Sequence, residues 1–548
     1  MNSLNIKPWV LYALLPFVGG LLYPLGFPFW GDTHFMPFAF LGVFLFLLGL
    51  PLAYGQPSPI AATSKTLKRI LITTLLFGLG YCLLGYYWIP YTLKEFGNIP
   101  FPFNNLLGTA FSLIIVPHYL VFGLIIFLWR KLNLKKSSLA AGVSTRNLIY
   151  ALLLVLLEKM IPQQFPAHIG HVWLQLKPFL GLTPIFGAAV YSLISYLLIL
   201  FFVSWIKTGK RDFYGLALAL ILSVISFLNP LSENKTEEKL TTHIRMVQAN
   251  IGNFMKLDSE KGGLGSMREI YRRYETQSSL KPEEKIDLII WPETAYPQLI
   301  NSAMMRLSPA FVPSVVRRTA QNMNAHLFFG GYDKSGNDNN YYFETEYNAA
   351  FLINPEGELD DLYHKMILIP FGESLPFGPF NPLFAKVLEN LAFFAKGTRF
   401  TQFKLPNGAE FISAICYEIL FSQFIRTYLN KVPNKPHFLV NLTNDSWYGR
   451  TSEPYQHKFL AHWRALEFQI PIVRMTNTGI SSILFADGNE SERIPLFKNE
   501  TKDYALRGPK KPQRTFYQHW GYIPLTLMGL LFFFGAWILE KGQTRDPL

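Results

Sequence analysis

Cysteine is almost missing from this chain: 548 residues carry two, Cys82 and Cys416. Two isolated thiols give no disulfide framework. Charge is scarce as well. Asp, Glu, Lys and Arg make up 16% of the residues and hydrophobic types 50%, where a soluble domain is about a quarter charged. Phosphate-cradling loops are lacking, because Gly330-Gly331 and Gly262-Gly263 have none of the wider glycine spacing such loops need. No metal-ligand pattern stands out either, so neither a metal nor another cofactor is expected. His168 and His171 lie three apart with no acid or thiol nearby, which suits packing beside lipid headgroups better than a zinc site. The net charge of +13 is not a nucleic-acid stripe, because the cations gather beside apolar runs, where membrane topology accounts for them.

What is present is hydrophobic length. Residues 1–230 and 518–548 hold runs near the ~20 residues that span a bilayer, while 231–517 read as a soluble globular domain. The expected spans are 9–30, 36–54, 68–89, 102–129, 147–163, 179–206, 212–229 and 518–539. The fifth is the weakest, with Glu158, Lys159 and Pro162 at one end. The first lacks a small-residue cleavage site and is read as a retained anchor. Lys65, Lys68 and Arg69, then Arg130, Lys131, Lys135, Lys136 and Arg146, then Lys207, Lys210 and Arg211, and finally Lys541 and Arg545 occupy every second connection. The alternate short loops hold little beyond Lys94 and Lys177. The positive-inside rule then puts both termini in the cytoplasm and 231–517 outside it, in a bacterium on the periplasmic face.

The extramembrane region alternates strand-like and helix-like segments. Strands are expected at Ile244–Asn250, Leu288–Trp291, Leu327–Tyr332, Ala349–Asn354, Phe411–Cys416, Phe438–Asn444, Ile472–Asn477 and Ser481–Ala486, and helices at 262–280, 308–324 and 453–469. This is an α/β pattern with strands buried on both faces. Three strands run into polar residues, Glu293, Cys416 and Asn444. In α/β sheets sites gather beyond the carboxyl ends of strands, so these three are expected to converge.

Chemistry can be assigned to them. A thiol needs a base before it becomes a nucleophilic thiolate, and Glu293, restrained by Pro292, is the candidate. Attack on an ester creates an oxyanion, which a fixed ammonium stabilises. Lys365 is the candidate ammonium, helped by the backbone N–H of Tyr417, with Glu373 to orient it. Taken one at a time, each has a plain alternative: a core cysteine, a loop carboxylate, a solvated lysine, a salt-bridging glutamate. Cys82, inside an apolar run, is read as a small hydrophobe. His457 and His462 are read as packing or hydrogen-bonding residues.

Taken together, Trp291-Pro-Glu-Thr294, Tyr363-His-Lys-Met-Ile-Leu-Ile-Pro-Phe-Gly-Glu373 and Ile415-Cys-Tyr-Glu418 resemble the Glu-Lys-Cys triad segments of the nitrilase, or carbon–nitrogen hydrolase, superfamily. Asn444-Asp-Ser-Trp-Tyr-Gly-Arg450 and the flanking spans make the chain similar to one membrane-embedded branch, the apolipoprotein N-acyltransferases. The resemblance implies a multi-pass α-helical membrane domain plus an α/β nitrilase-like domain, a four-layer αββα sandwich. It implies Glu293 as general base, Lys365 as transition-state stabiliser and Cys416 as nucleophile, with Glu373, Tyr417, Glu418 and Trp447 in support. It also implies the reaction. An acyl chain leaves a phospholipid, typically phosphatidylethanolamine, as a thioester on Cys416, then passes to the N-terminal amine of a diacylglyceryl-cysteine apolipoprotein. Val247-Gln-Ala-Asn-Ile251 matches the family's opening strand. Beyond it Leu257, after Lys256, stands where some relatives have tryptophan, which puts lipid contacts there in doubt.

Asn444, Phe393 and Phe394 are candidate substrate contacts. The apolar stretch Phe377–Phe394, with Phe380, Leu383, Phe384, Val387, Leu388 and Leu391, reads as a lid dipping into the bilayer surface. Met304, Met305, Leu307, Phe311 and Val312 form a second apolar candidate. Two other functions compete: a membrane-tethered amidase, in which water resolves the acyl-enzyme, and a non-catalytic lipid-binding or transport protein. A transporter is expected to carry functional polar groups within its spans, and here Glu158 and Lys159 are the main ones.

Overall fold

The structure, a computed structural model, describes residues 7–52, 63–95, 99–132, 142–231, 238–334, 346–370, 372–375, 378–381 and 393–543. It divides into two compact units, Met1–Leu231 with His519–Leu548, and Ser232–Gln518.

The first unit is helical. Ser64–Gly85 and Ala189–Thr208 are long and apolar enough to cross a membrane; Val10–Gly26, Met36–Gly49, Pro117–Trp129, Phe213–Leu228 and Ile523–Ile538 are apolar but shorter. Two expected spans are interrupted. The segment 102–129 breaks into Phe103–Ala110, a 3₁₀ turn at Phe111–Leu113 and a new helix from Pro117, because proline lacks the N–H to continue a helix and suits its first turn. The segment 179–206 breaks at Gly187, whose φ is +67°. Small residues bring the helices together: a Cβ on Gly19 would lie 2.6 Å from the Gly42 carbonyl oxygen, and one on Gly80 would lie 2.4 Å from that of Phe17. Such close crossings let the helix backbones pack directly against one another. Cys82 is buried, its Sγ 3.2 Å from the Gly108 carbonyl oxygen.

Polar groups in this unit are tied to one another. Tyr196 donates to Glu158 Oε1 at 2.6 Å, and Lys159 Nζ lies 2.7 Å from His168 Nδ1. His168 and His171 stack at 5.2 Å, and the His168 N–H donates to His171 Nδ1 at 3.0 Å. These histidines therefore pack and cap a turn.

Among the described residues the second unit holds twelve strands: β1 (Lys239–Gln248), β2 (Leu288–Ile290), β3 (Tyr296–Ile300), β4 (His326–Lys334), β5 (Glu346–Ile353), β6 (Leu359–His364), β7 (Phe403–Lys404), β8 (Glu410–Ile415), β9 (Phe438–Thr443), β10 (Ile472–Thr476), β11 (Ser482–Leu484) and β12 (Glu500–Pro509). One mixed sheet has the order β12-β1-β2-β4-β5-β6, with β3 paired to β4, and the other β11-β10-β9-β8-β7. In both, parallel strands sit at the centre and antiparallel strands at the edges.

Alternation along the strands explains their continuous apolarity. Ile289, Trp291, Leu327, Phe329, Phe351 and Ile353 join a core with the helices Leu264–Ser278 and Ser314–Met323. Their neighbours turn the other way: Phe328 packs edge-on against Phe403 and Phe411 of the second sheet, at 5.0 and 5.1 Å. The helix Glu453–Phe468 covers β10, and Ser422–Lys431 packs beside it. The order is thus helix, sheet, sheet, helix, with both sheets apolar on both faces.

Candidate active site

Glu293 lies where β2 gives way to β3. Its neighbour Thr294 has a φ of +49°. The space is tight: a Cβ on Gly330 of β4 would lie 2.6 Å from the Glu293 Cα, so only glycine lets β4 pass so close. Lys365 follows β6 directly, its N–H donating to the Asn348 carbonyl of β5 at 2.8 Å. Glu373 comes one turn later, its own N–H bonded to the Ile369 carbonyl at 2.8 Å and its Oε2 accepting from Ile369 N–H at 2.9 Å. Cys416 directly follows β8, with a φ of +51°. A non-glycine residue held left-handed is strained, and such strain gathers at functional sites.

These segments meet. Lys365 Nζ is fully buried and donates to Glu373 Oε1 at 2.8 Å and Glu293 Oε1 at 3.4 Å. Asn348 Nδ2 bridges the same two oxygens at 2.9 and 2.8 Å. Burial pushes the Lys365 ammonium down, but Glu373 and Glu293 outweigh it, and its pKa stands above the ordinary lysine value. Burial pushes the Cys416 thiol well above its usual range and Glu293 adds to this, while Lys365 and the Thr443 hydroxyl pull the other way. The balance favours the protonated thiol at Cys416.

Glu418 ties the segments together. Its Oε1 accepts the N–H groups of Met366 at 2.6 Å and Ile367 at 3.0 Å, and its Oε2 accepts that of Ile415 at 2.8 Å. Tyr363 O–H donates to both oxygens. Burial lifts the Glu418 carboxyl to about 7, against those N–H groups and Lys365, which lower it. Tyr417 is buried and packs edge-on against Phe421 at 4.8 Å.

The remaining sequence candidates divide. Trp447 lies half-buried with the Lys256 ammonium 5.7 Å from its ring centre. Asn444 is held by its own loop and by the residue after β10: Oδ1 accepts from Ser446 Oγ at 2.8 Å and Asn477 Nδ2 at 3.1 Å. Phe394 stacks on Tyr332 at 5.6 Å and its N–H donates to the Glu373 carbonyl at 3.1 Å, whereas Phe393 is half-buried beside it. Of the expected lid, Phe380 is exposed; Phe377, Leu383, Phe384, Val387, Leu388 and Leu391 lie outside the described residues. In the second apolar candidate Met305 and Val312 belong to the core, while Leu307 and Phe311 are exposed.

Three residues were given no role from the sequence. Asn348 has no motif to mark it. Lys256 is buried, with its Nζ on Thr294 Oγ1; burial lowers its pKa. Arg474 donates to Asp445 Oδ2 at 2.9 Å. Asp445, Glu453 and His457 place ligand atoms within 4.8 Å of one another, but the Arg474 guanidinium already holds the Asp445 charge that a cation would need.

Known proteins match this chain over most of its length. Residues 243–505 match the carbon–nitrogen hydrolase family and residues 19–201 the apolipoprotein N-acyltransferase N-terminal domain. An apolipoprotein N-acyltransferase of Bdellovibrio bacteriovorus is 31% identical over 463 residues, 80% of each chain. Those of Haemophilus influenzae and Vibrio cholerae are 29% and 26% identical, over 90% and 96% of this chain and 91% and 96% of theirs. A Nesterenkonia amidase of the nitrilase superfamily superposes at 16% identity on 53% of this chain and 97% of its own, with a TM-score of 0.36, too loose to decide anything. The chain belongs to the apolipoprotein N-acyltransferase family.

Proposed function

We propose that the chain moves a fatty acyl group from a phospholipid to the N-terminal amine of a diacylglyceryl-cysteine apolipoprotein, through a thioester on Cys416. The observation that carries this is the buried Lys365 ammonium, fixed between Glu373 and Glu293 and close enough to Cys416 to bear on its thiol.

In the first half-step Glu293 takes the thiol proton as Cys416 Sγ attacks the ester carbonyl. The oxyanion forms against Lys365 and the Tyr417 N–H. The C–O bond breaks, Glu293 returns the proton to the leaving oxygen, and a lysophospholipid departs. In the second, the acceptor amine attacks the thioester, Glu293 takes its proton, the C–S bond breaks, and Glu293 returns the proton to the sulfur to restore the thiol. The kinetics are ping-pong. Glu373 and Asn348 fix the lysine and Glu418 fixes the two strand ends.

Both substrates are membrane lipids, so the site belongs at a bilayer surface. The alternation of cationic loops supports a multi-pass first unit of eight spans, with residues 231–517 on the periplasmic face of a bacterial inner membrane. Phosphatidylethanolamine is the proposed donor.

The test is intact mass of the purified protein after exposure to labelled phosphatidylethanolamine, with and without a diacylated peptide. An acyl-sized mass increase, absent in Cys416→Ala and discharged to the peptide amine, is expected. Release as free fatty acid with no acylated peptide would instead make the chain an amidase. No adduct and unchanged lipoprotein acylation in Cys416→Ala cells would leave a lipid-binding or transport protein.

A further inference from the structure

A second buried polar cluster meets Cys416 at its backbone carbonyl instead of its thiol. His457, on the helix Glu453–Phe468, places Nε2 3.2 Å from that carbonyl oxygen. Asn441 Nδ2 approaches the same oxygen at 3.5 Å and donates to the Ala414 carbonyl at 2.9 Å. Across the imidazole ring, Nδ1 lies 3.6 Å from Glu453 Oε1 and 3.8 Å from Asp445 Oδ1. Arg474 closes the network, one N–H on Asn441 Oδ1 at 2.8 Å and another on Asp445 Oδ2 at 2.9 Å. All of these side chains are buried.

The chemistry selects one tautomer. A carbonyl oxygen only accepts, so His457 Nε2 carries a hydrogen. Burial and Arg474 push the imidazole down towards its neutral form, which leaves Nδ1 as an acceptor. Burial, with Asp445 adding to it, holds the Glu453 carboxyl well above the usual range, which favours the neutral acid facing Nδ1. Asp445 keeps its charge against Arg474.

We propose that His457 is a positioning residue for the nucleophile, its Nε2–H holding the Cys416 carbonyl and with it the left-handed turn that ends β8 at the thiol. The proposal rests on Cys416 being the nucleophile. The carbonyl needs a partner because Cys416 lies past the last β8–β9 pair, Ile415 with Leu442. A strained backbone persists only where its surroundings fix it. His457 touches no reacting atom and acts through Cys416 alone.

The experiment follows thiol acylation in the full-length protein with phosphatidylethanolamine vesicles, by intact mass against time. His457→Phe keeps the ring and removes the donor; His457→Gln keeps an amide N–H at the reach of Nε2. The Phe variant is expected to acylate roughly 10- to 100-fold more slowly, with the lipid KM unchanged, and the Gln variant to recover most of the loss. If the Phe variant does not fold, His457→Asn takes its place, since its shorter amide cannot reach the carbonyl. Acylation at the wild-type rate without the donor would overturn the proposal, as would a Gln variant no faster than Phe or Asn. Persisting acylation in Cys416→Ala would instead remove the nucleophile assignment, a separate failure.

Discussion

The cluster around Lys365 and the cluster around Arg474 each bury one cation beside carboxylates, and both bear on Cys416, yet they are built to opposite ends. Lys365 presents a compact ammonium to Glu373 and Glu293 at unequal distances, 2.8 and 3.4 Å. Its donors rotate, so it can turn towards an oxyanion as charge develops. Arg474 spreads a planar fork over Asn441 and Asp445 at 2.8 and 2.9 Å, a geometry that holds a frame. The first cluster meets the thiol and the second the carbonyl of the same residue. On the proposed mechanism, the charge that serves chemistry keeps room to turn, and the charge that serves shape is locked.

Exchanging the cations breaks the comparison where it is strongest. Lys365→Arg keeps the charge but replaces a rotating ammonium by a bulkier fixed fork in a fully buried site. Thiol acylation is expected to fall by about 10²–10³, the cost of losing one oxyanion donor. An acylation time course by intact mass reads it. Acylation near the wild-type rate would mean that Lys365 supplies charge alone.

Arg474→Met should act on stability instead. Removing one member of a buried ion pair costs about 3–5 kcal/mol, because Asp445 is left uncompensated. Denaturant unfolding of the full-length protein checks this, and each folded molecule should still acylate faster than the Lys365 variant. A rate loss as deep as that of Lys365→Arg would erase the distinction between the clusters.

The sequence made one cluster legible and hid the other for a physical reason. Glu293, Lys365, Glu373 and Cys416 stand in compact ordered segments, and the eight apolar strands expected from the sequence fall on β1, β2, β4, β5, β8, β9, β10 and β11. Asn441, Asp445, Glu453, His457 and Arg474 are joined by topology alone, through parallel pairing of β9 with β8 and β10. The strands that went unread, β3, β6, β7 and β12, lie off the centre of their sheets. β12 is exposed along much of its length and carries charge, and a strand buried on one side at most has no continuous apolar run to betray it. The left-handed turns at Thr294 and Cys416 have no glycine to mark them.

Glu418 links the two clusters, since it accepts N–H groups next to Lys365 and next to Cys416, and it offers the smallest test. Its folded pKa of about 7 lies above the ordinary value of about 4.3. Between those values the folded protein binds more protons than the unfolded chain, so stability falls as pH rises. The contribution is fully present below about pH 4.3 and is lost through pH 7, on the order of 4 kcal/mol at most. Glu418→Gln cannot ionise, so its stability should change less between pH 5 and pH 7.5 than that of the wild type. Its amide also sets an N–H against one of the donors the carboxylate accepted, which lowers stability at both values. Denaturant midpoints of both proteins at the two pH values measure the difference. Equal slopes would mean that Glu418 stays charged throughout, a fixed anion binding both strand ends, and that the link between the clusters does not titrate.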